Sequence, residues 1–273
     1  MNPIRLFDSH CHLDDPDYDD DRKAVLERAK QAGVCAVMIA GIDRKTSEKA
    51  LSIAWRHPMV FSSVGFHPHD VKSCREEDLD HLKALAHDPR VRAWGEIGLD
   101  FNRMYSPVSD QENGLIRQLE IADELNLPVI FHERESGGRL IAILKRHHRH
   151  PGNGVIHCFS GSPAELETYV DMGYAIGITG ILTIRERGKA LRDMLPSIPL
   201  DRMLIETDAP YLTPAPQKNR FRRNEPAFVR TVLETIAHIL DMPLPQLAET
   251  IWQNTCKLYH IDPDADHLRL TGN

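Results

Sequence analysis

Phe7-Asp8-Ser9-His10-Cys11-His12 places two histidines one residue apart at the end of the first short apolar run. Successive side chains of a strand point to opposite faces, so His10 and His12 project together while Cys11 points into the opposite wall. Two imidazoles at that spacing can reach one divalent cation without bending the backbone. Residues of the same chemistry close later apolar runs: Glu96, His132, His157 and Asp208. Any one of them alone reads as a hydrogen-bonded strand end. Together they read as a metal centre, because burying four imidazoles and two carboxylates around one mouth is costly without a cation. The set is too large for one four-coordinate zinc ion and suits two divalent ions sharing a bridging carboxylate, with open positions for water and substrate. Glu96, midway along the series, is the expected bridge.

The elements that must position these groups alternate in period. Strands are expected at Leu6–His10, Val34–Ala40, Val60–Val64, Val91–Glu96, Val129–Phe131, Gly154–His157, Tyr174–Ile178 and Met203–Ile205. Helical periodicity falls between them, at Asp19–Ala32, Thr46–Arg56, Glu76–Ala86, Asp110–Leu125, Arg139–Arg146, Pro163–Met172 and, more weakly, Lys189–Leu195. Pro226–Leu240 and Pro245–Tyr259 add a last barrel helix and an appended one, separated by Asp241-Met242-Pro243. Strands regularly followed by helices predict a (β/α)8 TIM barrel, an α/β fold, with an appended C-terminal helix. In such barrels sites are built at the carboxyl ends of the strands, where the six candidate ligands fall. With no low-complexity linker or internal repeat, residues 1–273 are expected to form a single domain.

Bulk properties narrow the class. A chain of 273 residues with 41% hydrophobic and 27% charged residues can bury a full core. Its net charge of −7 argues against a protein that coats nucleic acid with a basic surface, although a local basic patch is compatible with it. Cys11, Cys35, Cys74, Cys158 and Cys256 are odd in number and lack a C-x-x-C pair, which reads as thiols in a reducing compartment. Strand 1 follows Met-Asn-Pro-Ile-Arg at once, leaving no room for a signal peptide, and no apolar run approaches the length of a membrane span. A cytoplasmic location and no membrane partner are therefore expected.

The motifs Phe7-Asp8-Ser9-His10-Cys11-His12-Leu13, Val64-Gly65-Phe66-His67-Pro68-His69, Gly95-Glu96-Ile97-Gly98-Leu99-Asp100, His157-Cys158-Phe159-Ser160-Gly161 and Glu206-Thr207-Asp208-Ala209-Pro210-Tyr211-Leu212 occur in order. Together, from Leu6 to about Tyr259, they resemble the TatD family of metal-dependent deoxyribonucleases, a branch of the amidohydrolase-like metallohydrolases. The resemblance implies a TIM barrel, a divalent-metal site often loaded with magnesium, and hydrolysis of DNA phosphodiesters from the 3′ end, with single strands or 3′ ends as substrate. It further implies that His10, His12, Glu96 and Asp208 hold one metal and Glu96, His132 and His157 the other, while His67, Arg134 and Glu206 line the site. Two departures from the family pattern stand out: Ser136 after Glu133-Arg134-Glu135, where Ala is usual, and Tyr259 in place of Phe.

A phosphodiester resists attack because its charge repels hydroxide and its leaving alkoxide is poor, and divalent cations address both problems. Asp208 is the expected general base, and the resemblance implies that Glu96, Glu206 and His67 complete the catalytic set. Imidazole accepts zinc and manganese whereas magnesium prefers oxygen, so the ligands leave Mg, Mn and Zn open. After strand 8, Gln217-Lys218-Asn219-Arg220-Phe221-Arg222-Arg223-Asn224 is strongly basic in an acidic chain. Lys218, Arg220, Arg222 and Arg223 are expected to meet phosphates, and Phe221, Tyr211 or Phe101 to stack a base. His147-His148-Arg149-His150 reads as a solvated helix terminus on the opposite rim, and His57, His81, His87, His238, His260 and His267 are given no role. Two other readings compete: a same-fold metallohydrolase acting on an ester, lactone or amide such as aminoacyl-tRNA, and a non-enzymatic metal-binding module. The basic segment favours nucleic acid, no lysine ends a strand to serve as a carboxylated bridge, and the open coordination positions disfavour a passive module.

Overall fold

The computed structural model describes residues 4–265 and Leu268, so Met1–Pro3 and His267 lie outside the described residues. Eight strands form one sheet in sequence order: β1 (Leu6–Cys11), β2 (Val34–Ile39), β3 (Val60–Val64), β4 (Val91–Asp100), β5 (Val129–Arg134), β6 (Gly154–Ile156), β7 (Ala175–Ile178) and β8 (Met203–Ile205). Between them run α1 (Arg22–Gln31), α2 (Arg44–Arg56), α3 (Glu76–Leu85), α4 (Val108–Leu125), α5 (Arg139–His147), α6 (Pro163–Asp171) and α7 (Lys189–Met194). After β8 come α8 (Val229–Ile239) and the appended α9 (Leu244–Leu258). This is the (β/α)8 TIM-barrel fold. Among the described residues no helix is long and apolar enough to cross a membrane, and all five cysteines are free.

The residue pattern explains the layering. β1, β2 and β3 are buried at every position, as parallel strands covered on both faces must be. The helices are one-sided: α2 buries Ala50, Leu51, Ile53 and Ala54, and α8 buries Val232, Leu233 and Ile236, while their charged residues face outward.

Two compact units divide the chain. The first comprises Met1–Ile39, His57–Val60 and Gly177–Asn273, and the second Ala40–Arg56 and Phe61–Ile176. In the first, β1 pairs in parallel with β2, and its far end is bonded to the turn after β8: Asp208 N donates to His10 O (2.9 Å) and His12 N to Ala209 O (2.7 Å). In the second, β3 to β6 pair successively, and β6 pairs with the first residues of β7.

Three local features differ from the sequence expectation. β4 continues past Glu96 to Asp100, and β5 past Phe131 to Arg134, because Ile97 to Asp100 pair residue by residue with Phe131 to Arg134. Gly98 permits this: a Cβ there would stand 1.9 Å from His132 O, so the two strands close only over a glycine. Glu96 thus sits inside a long strand, at a register shift between Trp94 and Ile97, with its N–H donating to Gly41 O (2.8 Å). Finally, His148 is not solvated but buried, with Nδ1 2.5 Å from Tyr174 Oη and Nε2 3.5 Å from Asp123 Oδ1.

Candidate active site

In the first unit, His10 is the fifth residue of β1 and fully buried, and His12 follows the strand by one residue. Their Nε2 atoms lie 3.3 Å apart, as same-face projection requires. Asp208 Oδ1 lies 3.4 Å from His12 Nε2 and 3.7 Å from His10 Nε2. Atoms bonded at about 2.0–2.1 Å to one tetrahedral ion stand about 3.4 Å apart, so these separations fit a single cation held between the three. Cys11 turns away, its thiol donating to Met38 O (3.4 Å). Asp208 adopts φ 55°, a left-handed conformation that non-glycine residues take at a cost of about 1–2 kcal/mol, so its surroundings must hold it. Asp8 helps: its carboxylate accepts from Thr207 N (2.8 Å) and Thr207 Oγ1 (2.6 Å). Complete burial raises the Asp8 carboxyl well above the ordinary range against these bonds. Glu206 is also fully buried and accepts from Ser9 Oγ (3.4 Å).

The second unit carries Glu96, His132 and His157 with His67. Glu96 Oε1 is the common neighbour, 2.8 Å from His132 Nδ1, 3.5 Å from His67 Nε2 and 3.9 Å from His157 Nε2. The opposite nitrogen of His132, Nε2, lies 3.2 Å from Asp100 Oδ2. One ring nitrogen faces the candidate bridge and the other a buried carboxylate, the arrangement that fixes the tautomer of a metal-ligating histidine. Burial opposes protonation of His132, but bonds to Asp100 and Glu96 and their charges outweigh it and push the imidazole up to about 9. Asp100 is affected in the complementary sense: burial raises its carboxyl, and hydrogen bonds from His132, the Arg103 N–H and His69 carry it far below the ordinary range. Burial pulls His67 down to about 4, against the pull of Glu96.

Asp100 and His69 lie outside the candidate set that the sequence suggests. His69 Nε2 lies 2.7 Å from Asp100 Oδ2, and single donor atoms of His67, His69 and His132 all lie within 4.8 Å of one another. The signal was present: His67-Pro68-His69 repeats the H-x-H spacing of His10 and His12, and Asp100 closes a strand in which period 2 puts it on the face of Glu96 only if the strand continues.

Arg134 ends β5 two residues after His132 and so projects to the same side. Of the basic segment, Lys218, Arg220 and Arg222 are exposed, with no ion pair to their side chains among the described residues, and Phe221 is half-exposed against Phe228 (5.0 Å between rings). Arg223 is different. Its guanidinium pairs with Asp21 (2.5 Å) and lies 4.4 Å over the Tyr18 ring, so it is occupied by the protein itself. Tyr211 is half-exposed and stands edge-on to His12 (6.0 Å), while Phe101 lies just beyond β4. The two departures from the family pattern are accommodated. Ser136 Oγ donates to Glu133 Oε1 (2.7 Å), and Tyr259 Oη donates to Ser9 O (3.1 Å), beside His10 in sequence.

A (β/α)8 barrel with histidines and carboxylates in or just beyond the C-terminal halves of its strands has the arrangement of a metallohydrolase. Residues 7–260 match the TatD related DNase family, and the chain belongs to that family. It is 40% identical to the 3′-5′ ssDNA/RNA exonuclease TatD of a Rahnella species, over 93% of this chain and 98% of the relative. It is 35% identical to the metal-dependent hydrolase YabD of Bacillus subtilis, over 94% of this chain and 100% of that one. The crystal structure of YjjV, a TatD homologue of Escherichia coli, superposes with a TM-score of 0.86 at 31% identity, covering 95% of this chain and 99% of that one. The expectation of a metal-dependent deoxyribonuclease agrees with these relatives.

Proposed function

We propose that this chain is a metal-dependent exonuclease that releases nucleotides from the 3′ ends of single-stranded DNA, and that RNA ends enter the same site. The observation that carries the reading is the convergence of His10 Nε2, His12 Nε2 and Asp208 Oδ1 at 3.3–3.7 Å, beside the turn that leads into the basic segment. His10, His12 and Asp208 would hold one divalent ion and His132 and His157 a second, with Glu96 shared, so that the whole chain works as one catalytic domain. When bound, such ions lower the pKa of an attacking water and offset charge at the scissile phosphate. Asp208 would accept the proton of the attacking water at its carboxylate, while buried Asp8 grips Thr207 of the same turn and Glu206 is buried beside it in sequence. Arg134 and His67 orient the phosphate. Lys218, Arg220 and Arg222 meet the phosphates upstream, with Phe221 stacking a base. Mn, Zn and Mg remain open, imidazole favouring the first two and carboxylate the third. Five free thiols suit a reducing, cytoplasmic setting.

The test incubates metal-reconstituted protein with 3′- or 5′-labelled single- and double-stranded DNA, beside carboxylic ester and aminoacyl-tRNA substrates. Release of mononucleotide from 3′-labelled single strands is expected first. Turnover of the ester or aminoacyl-tRNA with no release from any oligonucleotide would overturn the reading.

A further inference from the structure

Asn224 is the last residue of the basic segment, and its side chain has no solvent exposure. Its amide group spends both donors on the turn that carries Asp208: Nδ2 donates to Thr207 O (2.9 Å) and to Tyr211 O (2.7 Å), carbonyls one residue before and three residues after Asp208. The backbone joins in, Asn224 N donating to Pro210 O (3.0 Å). Oδ1 accepts from Glu225 N (2.9 Å), so the amide orientation is fixed by donors and acceptor alike. Behind it, Tyr18 Oη donates to Asn224 O (2.6 Å), and the Tyr18 ring supports Arg223. The turn needs such a hold, because both Asp208 (φ 55°) and Leu212 (φ 53°) are left-handed without being glycine.

We propose that Asn224 is a positioning residue that sets the direction of Asp208 from the end of the basic segment. The chemistry favours this over a simple loop staple. Of the polar side chains that reach the turn, Asp8 grips Thr207 from the β1 side, and Asn224 brackets Asp208 itself from the segment side. A carboxylate misplaced by about 1 Å costs about 10²-fold in rate, so small rotations of the bracket have large consequences. The proposal rests on the nuclease reading for its turnover arm only.

The experiment compares the full chain with Asn224→Asp, which keeps the shape and the Glu225 contact but sets a carboxylate against two carbonyl oxygens, and with Tyr18→Phe, which keeps the ring and loses the hydroxyl. Mn2+ binding is measured by calorimetry, amide exchange of Asp208 and Tyr211 in metal-free protein by NMR, and kcat and KM on a labelled single strand. In Asn224→Asp the affinity of one Mn2+ is expected to fall about 10- to 100-fold, as for loss of a group that orients a ligand. Amide exchange at Asp208 and Tyr211 should quicken, and kcat should fall about 10²-fold with KM little changed. Tyr18→Phe should move the same readouts in the same direction by less. A folded Asn224→Asp with a lower Tm but wild-type Mn2+ affinity and kcat would make Asn224 a staple only and overturn the proposal. If Asn224→Asp does not fold, unchanged Mn2+ affinity and exchange in Tyr18→Phe overturn it instead. Absence of hydrolysis by the wild type would sink the nuclease reading, while the binding and exchange arms still judge Asn224.

Discussion

In the first unit His10, His12 and Asp208 owe their convergence to main-chain bonds, Asp208 N to His10 O and His12 N to Ala209 O, whereas in the second Glu96, His132, His67 and His69 are fixed by side-chain contacts to one another and to Asp100. The first group is built by backbone geometry and does not depend on protonation for its shape. The second is a charged network that, without a cation, is completed by protons: His132 is pushed up to about 9 by its two carboxylates. A cation entering there must displace a proton, while one entering between His10, His12 and Asp208 meets donor atoms already spaced for it.

The largest expected effect tests the proposed sharing of Glu96. Glu96→Ala should lower the affinity of both ions by more than the ~10- to 100-fold that loss of an outer partner costs, and abolish turnover with it. Two ions by calorimetry and unchanged rate in that variant would remove Glu96 as the bridge. Asp208→Asn should instead act on one side. An amide ligates weakly and takes no proton, so turnover should fall by roughly 10² to 10⁴ while the ion at His132 and His157 is retained. Near-normal kcat with both ions bound would take Asp208 out of the role of base.

The same contrast decides what was legible in the sequence. His10 and His12 could be read because strand periodicity alone puts them on one side, and the (β/α)8 order followed from alternating apolar runs. Asp100 could not be placed without knowing that β4 runs on past Glu96. That extension depends on Gly98 letting His132 O approach, a contact between strands more than thirty residues apart in sequence. His69 went unread for the same reason, since its meaning lies in Asp100. Arg223 carries the right charge for phosphate, but composition cannot show that Asp21 and Tyr18 fold against it.

The charged network gives the second unit a signature in pH. His132, raised from an ordinary 6.5 to about 9, contributes stability that is full below pH 6.5 and lost as pH rises through about 9. His67, depressed from 6.5 to about 4, contributes in the opposite sense, its share present above pH 6.5 and lost as pH falls toward 4. Metal-free protein should therefore show a Tm maximum near pH 6.5, and a saturating divalent ion should remove the alkaline limb. Asp100→Asn should shrink that limb and lower the affinity of the ion at His132 by about 10- to 100-fold, leaving the group at His10 untouched. An alkaline limb of wild-type size in Asp100→Asn, measured by calorimetry in chelator, would assign it to other groups.

The smallest effect separates residues within the basic segment. Arg220 and Arg222 are exposed with side chains open to a ligand, so each change to Gln should reduce the log–log salt slope of single-strand binding by roughly 0.7 if the residue neutralises one phosphate. Arg223→Gln should leave the slope alone, because Asp21 already neutralises that guanidinium and Tyr18 lies beneath it. Its loss should appear in stability, where a cation–π contact and a partly exposed ion pair together contribute about 1 kcal/mol, or about 2 °C in Tm for a chain of this size. A slope reduced by Arg223→Gln and unaltered by Arg220→Gln and Arg222→Gln would mean that Arg223 exchanges Asp21 for phosphate when the strand arrives. The loop would then be an ion pair that substrate opens, and the phosphate contacts would start from the residue next to Asn224 rather than from its exposed neighbours.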